Sequence, residues 1–178
     1  MTTYRSLNKP IKDLWYALED AAVQAVRTPG LKTYAGRNNA IRYHVQGPYL
    51  WCRLPSGRYL CYPLPQLEDG LTPWGEAKQQ VAISTTNSFT RKWGRRTLYG
   101  GLQTENVVQA IARDVLAEAM LRVEQAGFPV VLTVHDEILA EAQMGSLDDF
   151  CDIKRTTPEW AAGLQVGVEG WKGERYRK

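Results

Sequence analysis

No stretch of the chain is apolar for the ~18–20 residues that a membrane helix needs. The first residues, Met1 to Pro10, lack the hydrophobic core of a signal peptide, so the sequence reads as that of a cytosolic protein. Cysteine is scarce: Cys52, Cys61 and Cys151 are too few and too scattered for a disulfide scaffold or a zinc site, and plain thiols are expected. Whether Cys52 and Cys61 face each other across a hairpin depends on a register that the sequence leaves open. Neither charge dominates. With 22 Lys and Arg against 19 Asp and Glu, the net charge is only +3, which permits nucleic-acid binding without demanding it. There is no internal repeat and no low-complexity run. A hydrophobic share of 44% in 178 residues is enough for a packed core and excludes extensive disorder. Only two histidines occur, His44 and His135, and their separation supports no Ser/His/Asp or Cys/His catalytic grouping. His44 reads as structural.

The periodicities that are present predict an α+β chain. Ile11, Leu14, Trp15, Leu18, Ala22, Ala25 and Val26 recur at helical spacing, with Asn8 as cap, Pro10 in the first turn and Thr28-Pro29-Gly30 as a stop. Ala40 to His44, Tyr49 to Leu54 and Tyr59 to Tyr62 read as strands, the last two joined by the turn residues Pro55-Ser56-Gly57. Leu64 to Gln80, punctuated by Pro65, Gly70, Pro73 and Gly75, reads as loop, and Val81 to Trp93 as a polar stretch. The strongest helix signal runs from Gln103 to Gln125, its apolar residues covering a wide arc, with Gly127 ending it. Strands Phe128 to Val134 and Ile138 to Ala142 follow. Ser146 caps a helix from Leu147 to Lys154, Thr157-Pro158-Glu159 opens another, and Leu164 to Val168 closes as a strand. This order predicts an antiparallel sheet with helices on one face.

One segment carries chemistry: Val131-Leu132-Thr133-Val134-His135-Asp136-Glu137-Ile138. A tight hairpin with acids at its tip pushes carboxylates out of the sheet, where a hard cation such as Mg²⁺ finds oxygen ligands. The alternative is solvated turn charge, and the wholly apolar flanks weigh against it, because carboxylates between buried strands need a partner. Arg91-Lys92-Trp93-Gly94-Arg95-Arg96 packs four cations and an aromatic into one stretch, read either as a phosphate contact or as a solvated basic loop. Glu105, Gln109 and Arg113 lie at i, i+4 spacing and either face DNA or pair with neighbours.

Val134-His135-Asp136-Glu137 resembles the C-terminal catalytic motif of family A DNA polymerases. Arg95, Tyr99-Gly100-Gly101, Leu102-Gln103 and Glu105 to Asp114 resemble the helix before that hairpin in bacteriophage-type members. Leu14 to Glu19, Leu54-Pro55-Ser56-Gly57-Arg58 and the tail glycines Gly167 and Gly170 with Trp171 also match, in the same order. The resemblance implies a partial polymerase domain with a palm-type sheet. Residues 1–30 would end the fingers helices, and residues 40–178 would form the C-terminal palm with a hairpin insertion. By the same resemblance Asp136 ligates Mg²⁺, Glu137 supports the metal or the primer terminus, and His135 approaches the primer-end backbone. Arg95 and Gln103 would contact template or primer. Tyr99 stands where cellular relatives carry Asn, and Arg91, Lys92 and Arg96 would bind DNA. The implied partners are primer-template DNA and a deoxynucleoside triphosphate in a bacterial host cytoplasm, with no membrane.

The family's chemistry also needs a second aspartate in an Asp-x-Ser-x-x-Glu-like motif and a fingers helix with Arg, Lys and Tyr. Asp13, Asp20, Asp69, Asp114, Asp148, Asp149 and Asp152 all lack that context, and no phosphate-cradling glycine loop replaces the helix. The chain is therefore expected to be one side of a two-metal site completed by an N-terminal polymerase polypeptide in trans, and inactive alone. The other reading is a non-catalytic, DNA-binding prophage remnant of a polymerase.

Overall fold

The computed structural model describes residues 2–72, 74–87 and 89–176; Pro73 lies outside them. The chain divides into two compact units, residues 1–108 and 109–178. The first holds α1 (Thr2–Leu7), α2 (Lys9–Arg27), β1 (Thr33–Ala35), β2 (Ile41–Gln46), β3 (Tyr49–Arg53), β4 (Tyr59–Pro63), β5 (Gln66–Leu71), β6 (Ala77–Thr86) and β7 (Trp93–Thr97). Helix α3 (Gly100–Gln125) begins in it and runs into the second, which adds β8 (Val130–Val134), β9 (Glu137–Ala140), α4 (Leu147–Arg155) and a 3₁₀ turn at Glu159–Ala161. All strand pairs are antiparallel. The expected α+β composition forms, but as three sheets rather than one: β1-β2-β3-β4, β5-β6-β7 and β8-β9. Among the described residues no helix is long and apolar enough to cross a membrane.

Helix α2 follows its sequence signals. Pro10 sits in the first turn, where no N–H is lost, and Leu18, Ala22 and Ala25 are buried. Asn8 holds the cap position, but its side-chain amide donates to the Tyr4 carbonyl (3.0 Å) instead of capping. The same face buries Glu19, whose carboxylate meets Lys78 Nζ of β6 at 2.6 Å. Removing the cation leaves a buried carboxylate unpaired, so Lys78→Ala costs about 2 kcal/mol in urea unfolding, below the full buried-pair value because Lys78 keeps some exposure. Glu19→Gln combined with Lys78→Met recovers part of that loss, because both charges go together; a double variant as unstable as the single one would refute the pairing.

In the first sheet Thr33, Ala35, Ile41, Tyr43, Leu50, Cys52 and Tyr62 form the inner face, against which α2 packs. The Thr33 hydroxyl ties β1 to α2 by donating to the Ala21 carbonyl (2.7 Å). Trp51 pairs with Cys61 and Cys52 with Leu60, so the two cysteines point to opposite faces. All three thiols are free as expected, and burial pushes Cys52 up to about 12. The Pro55-Ser56-Gly57 turn forms: Gly57 N–H donates to Leu54 O (3.0 Å), with Gly57 at φ 90°.

The β5-β6-β7 sheet replaces the loop and polar stretch expected over Leu64 to Trp93. Its strands carry little alternation: β5 is polar along most of its length, and β6 buries only Val81 to Ser84. Backbone ladder bonds between consecutive strands hold it, and side-chain patterning does not report them. Helix α3 starts at Gly100, before the expected Gln103. Its buried residues Leu102, Val107, Ala110, Val115, Ala119 and Val123 form a stripe, while Val108 and Leu121 stay exposed, so the apolar arc is narrower than expected. Gly127 ends it at φ 85°, with Gly127 N–H on Glu124 O and Phe128 N–H on Val123 O.

In the second unit Ala119, Val123 and Ile138 pack with Phe128, Phe150 and Ile153, and the two phenylalanine rings meet edge to face at 5.3 Å. The Ser146 hydroxyl caps α4 by accepting from Asp149 N (3.0 Å). The helix expected from Thr157 is one 3₁₀ turn. The strand expected over Leu164 to Val168 is irregular chain: it has no ladder partner, and Val168 O accepts instead from Arg155 Nη2 (3.1 Å).

Candidate active site

The β8–β9 hairpin positions the acidic pair. Val134 pairs with Glu137, so His135 and Asp136 form a two-residue turn, with His135 at φ 53°. Strand β8 is less buried than its sequence implies, with Val131 55% and Leu132 48% exposed. The acids therefore do not stand between two buried strands. Asp136 is exposed and Glu137 half-buried. Both line an open groove of about 1650 Å³, together with Phe150, Val168, Trp171 and Tyr176. The Tyr176 hydroxyl donates to Glu137 Oε2 at 2.9 Å, and this bond to a carboxylate holds the phenol above its ordinary pKa. Thirty-nine residues separate the two, and no sequence signal linked them. Among the described residues no three His, Cys, Asp or Glu side chains gather as a metal cluster. Two neighbouring carboxylates on an open groove still fit Mg²⁺, which binds through one or two carboxylates and keeps waters or substrate phosphates for the rest.

The basic stretch lies in the first unit, on the β6–β7 hairpin. Asn87 shapes its tip, its side-chain oxygen accepting from Phe89 N and Thr90 N at 2.9 Å each. Arg91, Lys92 and Arg96 are exposed, and Trp93 is 64% exposed. Arg95 differs. Its guanidinium donates to Leu64 O (2.7 Å), Ala82 O (2.8 Å), Ser84 Oγ (3.3 Å) and Glu68 Oε1 (3.3 Å), using four of its five N–H groups to clasp the sheet. Gln103, expected on template or primer, has no exposed surface. Its amide accepts from the Tyr43 hydroxyl (2.8 Å) and donates to Leu98 O (3.0 Å), so in this structure it bridges β2 to the start of α3. Tyr99, just before α3, is 52% exposed. Glu105, Gln109 and Arg113 are exposed along α3. His44 is half-buried against Tyr59, and burial followed by the Arg42 charge lowers its pKa.

Thus one hairpin carries paired carboxylates on a groove, and another carries exposed cations with aromatics. Over nearly all its length the chain is similar to part of a phage DNA polymerase. The relative is the protein named DNA polymerase of Bacillus phage SP02, with 34% identity over 178 residues. The match covers 98% of this chain but 26% of that protein, so the chain spans about a quarter of the polymerase's length. No family model and no solved structure matches the chain. The polymerase resemblance carried by the motifs is therefore matched by similarity along the whole chain.

Proposed function

We propose that this chain is the C-terminal palm segment of a family A DNA polymerase and supplies one side of a two-Mg²⁺ nucleotidyl-transfer site. The observation that carries the reading is the placement of Asp136 beside Glu137 at a hairpin tip on an open groove, in a chain similar to a polymerase. Asp136 and Glu137 would hold Mg²⁺, which when bound offsets phosphate charge and favours the attacking oxyanion. Glu137 is oriented by Tyr176, which restrains its carboxylate against rotation. His135, beside Asp136 in the turn, approaches the primer-end backbone. Exposed Arg91, Lys92 and Arg96 meet phosphates of primer-template DNA, contacts that fix position rather than sequence, and Tyr99 lies near the nascent pair. Arg95, at the surface, braces the β5-β6-β7 sheet, and buried Gln103 braces the start of α3. The second aspartate motif and the fingers helix that grips the deoxynucleoside triphosphate are supplied by polymerase segments outside these 178 residues.

Primer extension tests this. The purified chain with Mg²⁺, primer-template and deoxynucleotides gives no product. Adding the missing polymerase segment in trans gives extension. Extension by the highly purified chain alone would sink the divided-site reading. No extension in the mixture, with salt-sensitive DNA binding retained, would support a non-catalytic DNA-binding prophage remnant instead.

A further inference from the structure

The outer face of the β1–β4 sheet plays no part in the reaction above. Strand alternation sends Tyr34 of β1, Arg42 and His44 of β2, Tyr49, Trp51 and Arg53 of β3, and Tyr59 of β4 to the side opposite the buried residues. The register sets Arg42 beside Arg53, His44 beside Trp51 and Arg53 beside Tyr59. The rings cluster: along β3 the Tyr49–Trp51 centroids lie 5.6 Å apart, and across strands His44–Tyr59 and Trp51–Tyr59 lie 6.0 Å apart. Such pairs stabilise a sheet. That role needs no exposure, yet Tyr34 is 50%, Tyr49 38% and Tyr59 39% exposed.

Charge narrows the choice of partner. No Asp or Glu lies between Asp20 and Glu68 in the sequence, so no carboxylate stands on any of these four strands. Lys32, Arg37 and Arg53 are exposed around the sheet, and Arg42 Nη2 donates to the Tyr59 hydroxyl (2.9 Å), placing a guanidinium beside the rings. Apart from Gln46, Cys61 and Pro63, the face is aromatic and cationic. Tyr, Trp and Arg also serve protein interfaces, but a face that carries cations and no carboxylate selects a polyanionic partner. Aromatic faces interleaved with arginines fit unpaired bases on a phosphate backbone, because stacking accepts any base and the cations release counterions.

We propose that the outer face of the β1–β4 sheet binds single-stranded nucleic acid, with bases stacking on Tyr34, Tyr49 and Tyr59 and phosphates meeting Arg42 and Arg53. No residue of this face belongs to the Asp136–Glu137 hairpin, so the proposal fails or survives separately from the polymerase reading.

Fluorescence anisotropy of the full chain with a labelled oligothymidylate, against a blunt duplex of equal length, tests it. Tyr34→Ala with Tyr59→Ala weakens single-strand binding roughly tenfold or more and leaves duplex binding unchanged, because paired bases offer no face to stack. Tyr34→Phe with Tyr59→Phe keeps the wild-type affinity. Arg53→Gln, a change at an exposed position that does not depend on the rings for folding, lowers the salt slope of single-strand binding by about one. A wild-type chain that binds no single strand overturns the proposal. So does an alanine pair or an Arg53→Gln variant that binds as wild type, and so does a self-associated species in sedimentation that the alanine pair dissolves.

Discussion

Asp136→Ala reduces primer extension by the complemented polymerase by about a thousandfold, which corresponds to roughly 4 kcal/mol of lost transition-state stabilisation. The size follows from the chemistry. The side chain is exposed in the β8–β9 turn and lines the groove that Glu137 and Tyr176 also line. Because the carboxylate is exposed, its loss is expected to leave the fold intact and to remove one of the two carboxylates proposed to hold Mg²⁺. A melting temperature unchanged by the substitution separates this from unfolding. DNA affinity is kept or slightly raised, since one negative charge leaves the surface. Extension within a factor of a few of wild type would remove Asp136 from the site and with it the two-metal reading.

Gly100→Ala is expected to have the largest effect on stability. Gly100 opens α3 and is buried, and a methyl group built there would lie 2.1 Å from the carbonyl oxygen of Trp15 in α2. The obstacle is backbone, which cannot swing aside as a side-chain end can. Moving it means shifting α2, whose inner face packs on β1 and β2, or α3, whose first turn is held by Gln103 through Tyr43 and Leu98. The strain costs about 3 kcal/mol, which lowers the thermal midpoint of a chain this size by roughly 6–12 °C. Gly101→Ala, where the nearest atom is the flexible Tyr99 ring at 3.0 Å, serves as the control and costs far less. Equal midpoints for the two variants would show that the close approach of α2 and α3 is not what Gly100 is for.

Elements that depend on near neighbours were legible in the sequence. The α2 stripe, the Pro55-Ser56-Gly57 turn, the Ser146 cap, the Gly127 stop and the hairpin with acids at its tip each rest on contacts within a few residues. Residue type and spacing state such contacts directly. The β5-β6-β7 sheet was not legible, because its strands are polar and their pairing is a ladder of backbone bonds. Arg95 shows the same limit at one residue. In the sequence it belongs to a basic run, but its partners Leu64, Glu68, Ala82 and Ser84 come from β5, β6 and the chain before β5.

The sequence by itself determined the antiparallel α+β composition, the two main helices, the acidic hairpin and the likeness to a polymerase, since a motif is a local string and survives without coordinates. Only the tertiary structure decided which cations remain free, that Gln103 turns inward, that Glu137 is held by Tyr176, and that aromatic and cationic side chains share the outer face of the first sheet. Those outcomes join residues such as Tyr43 and Gln103, 60 apart along the chain. Partners that distant are chosen by packing and register, which no short stretch of sequence encodes.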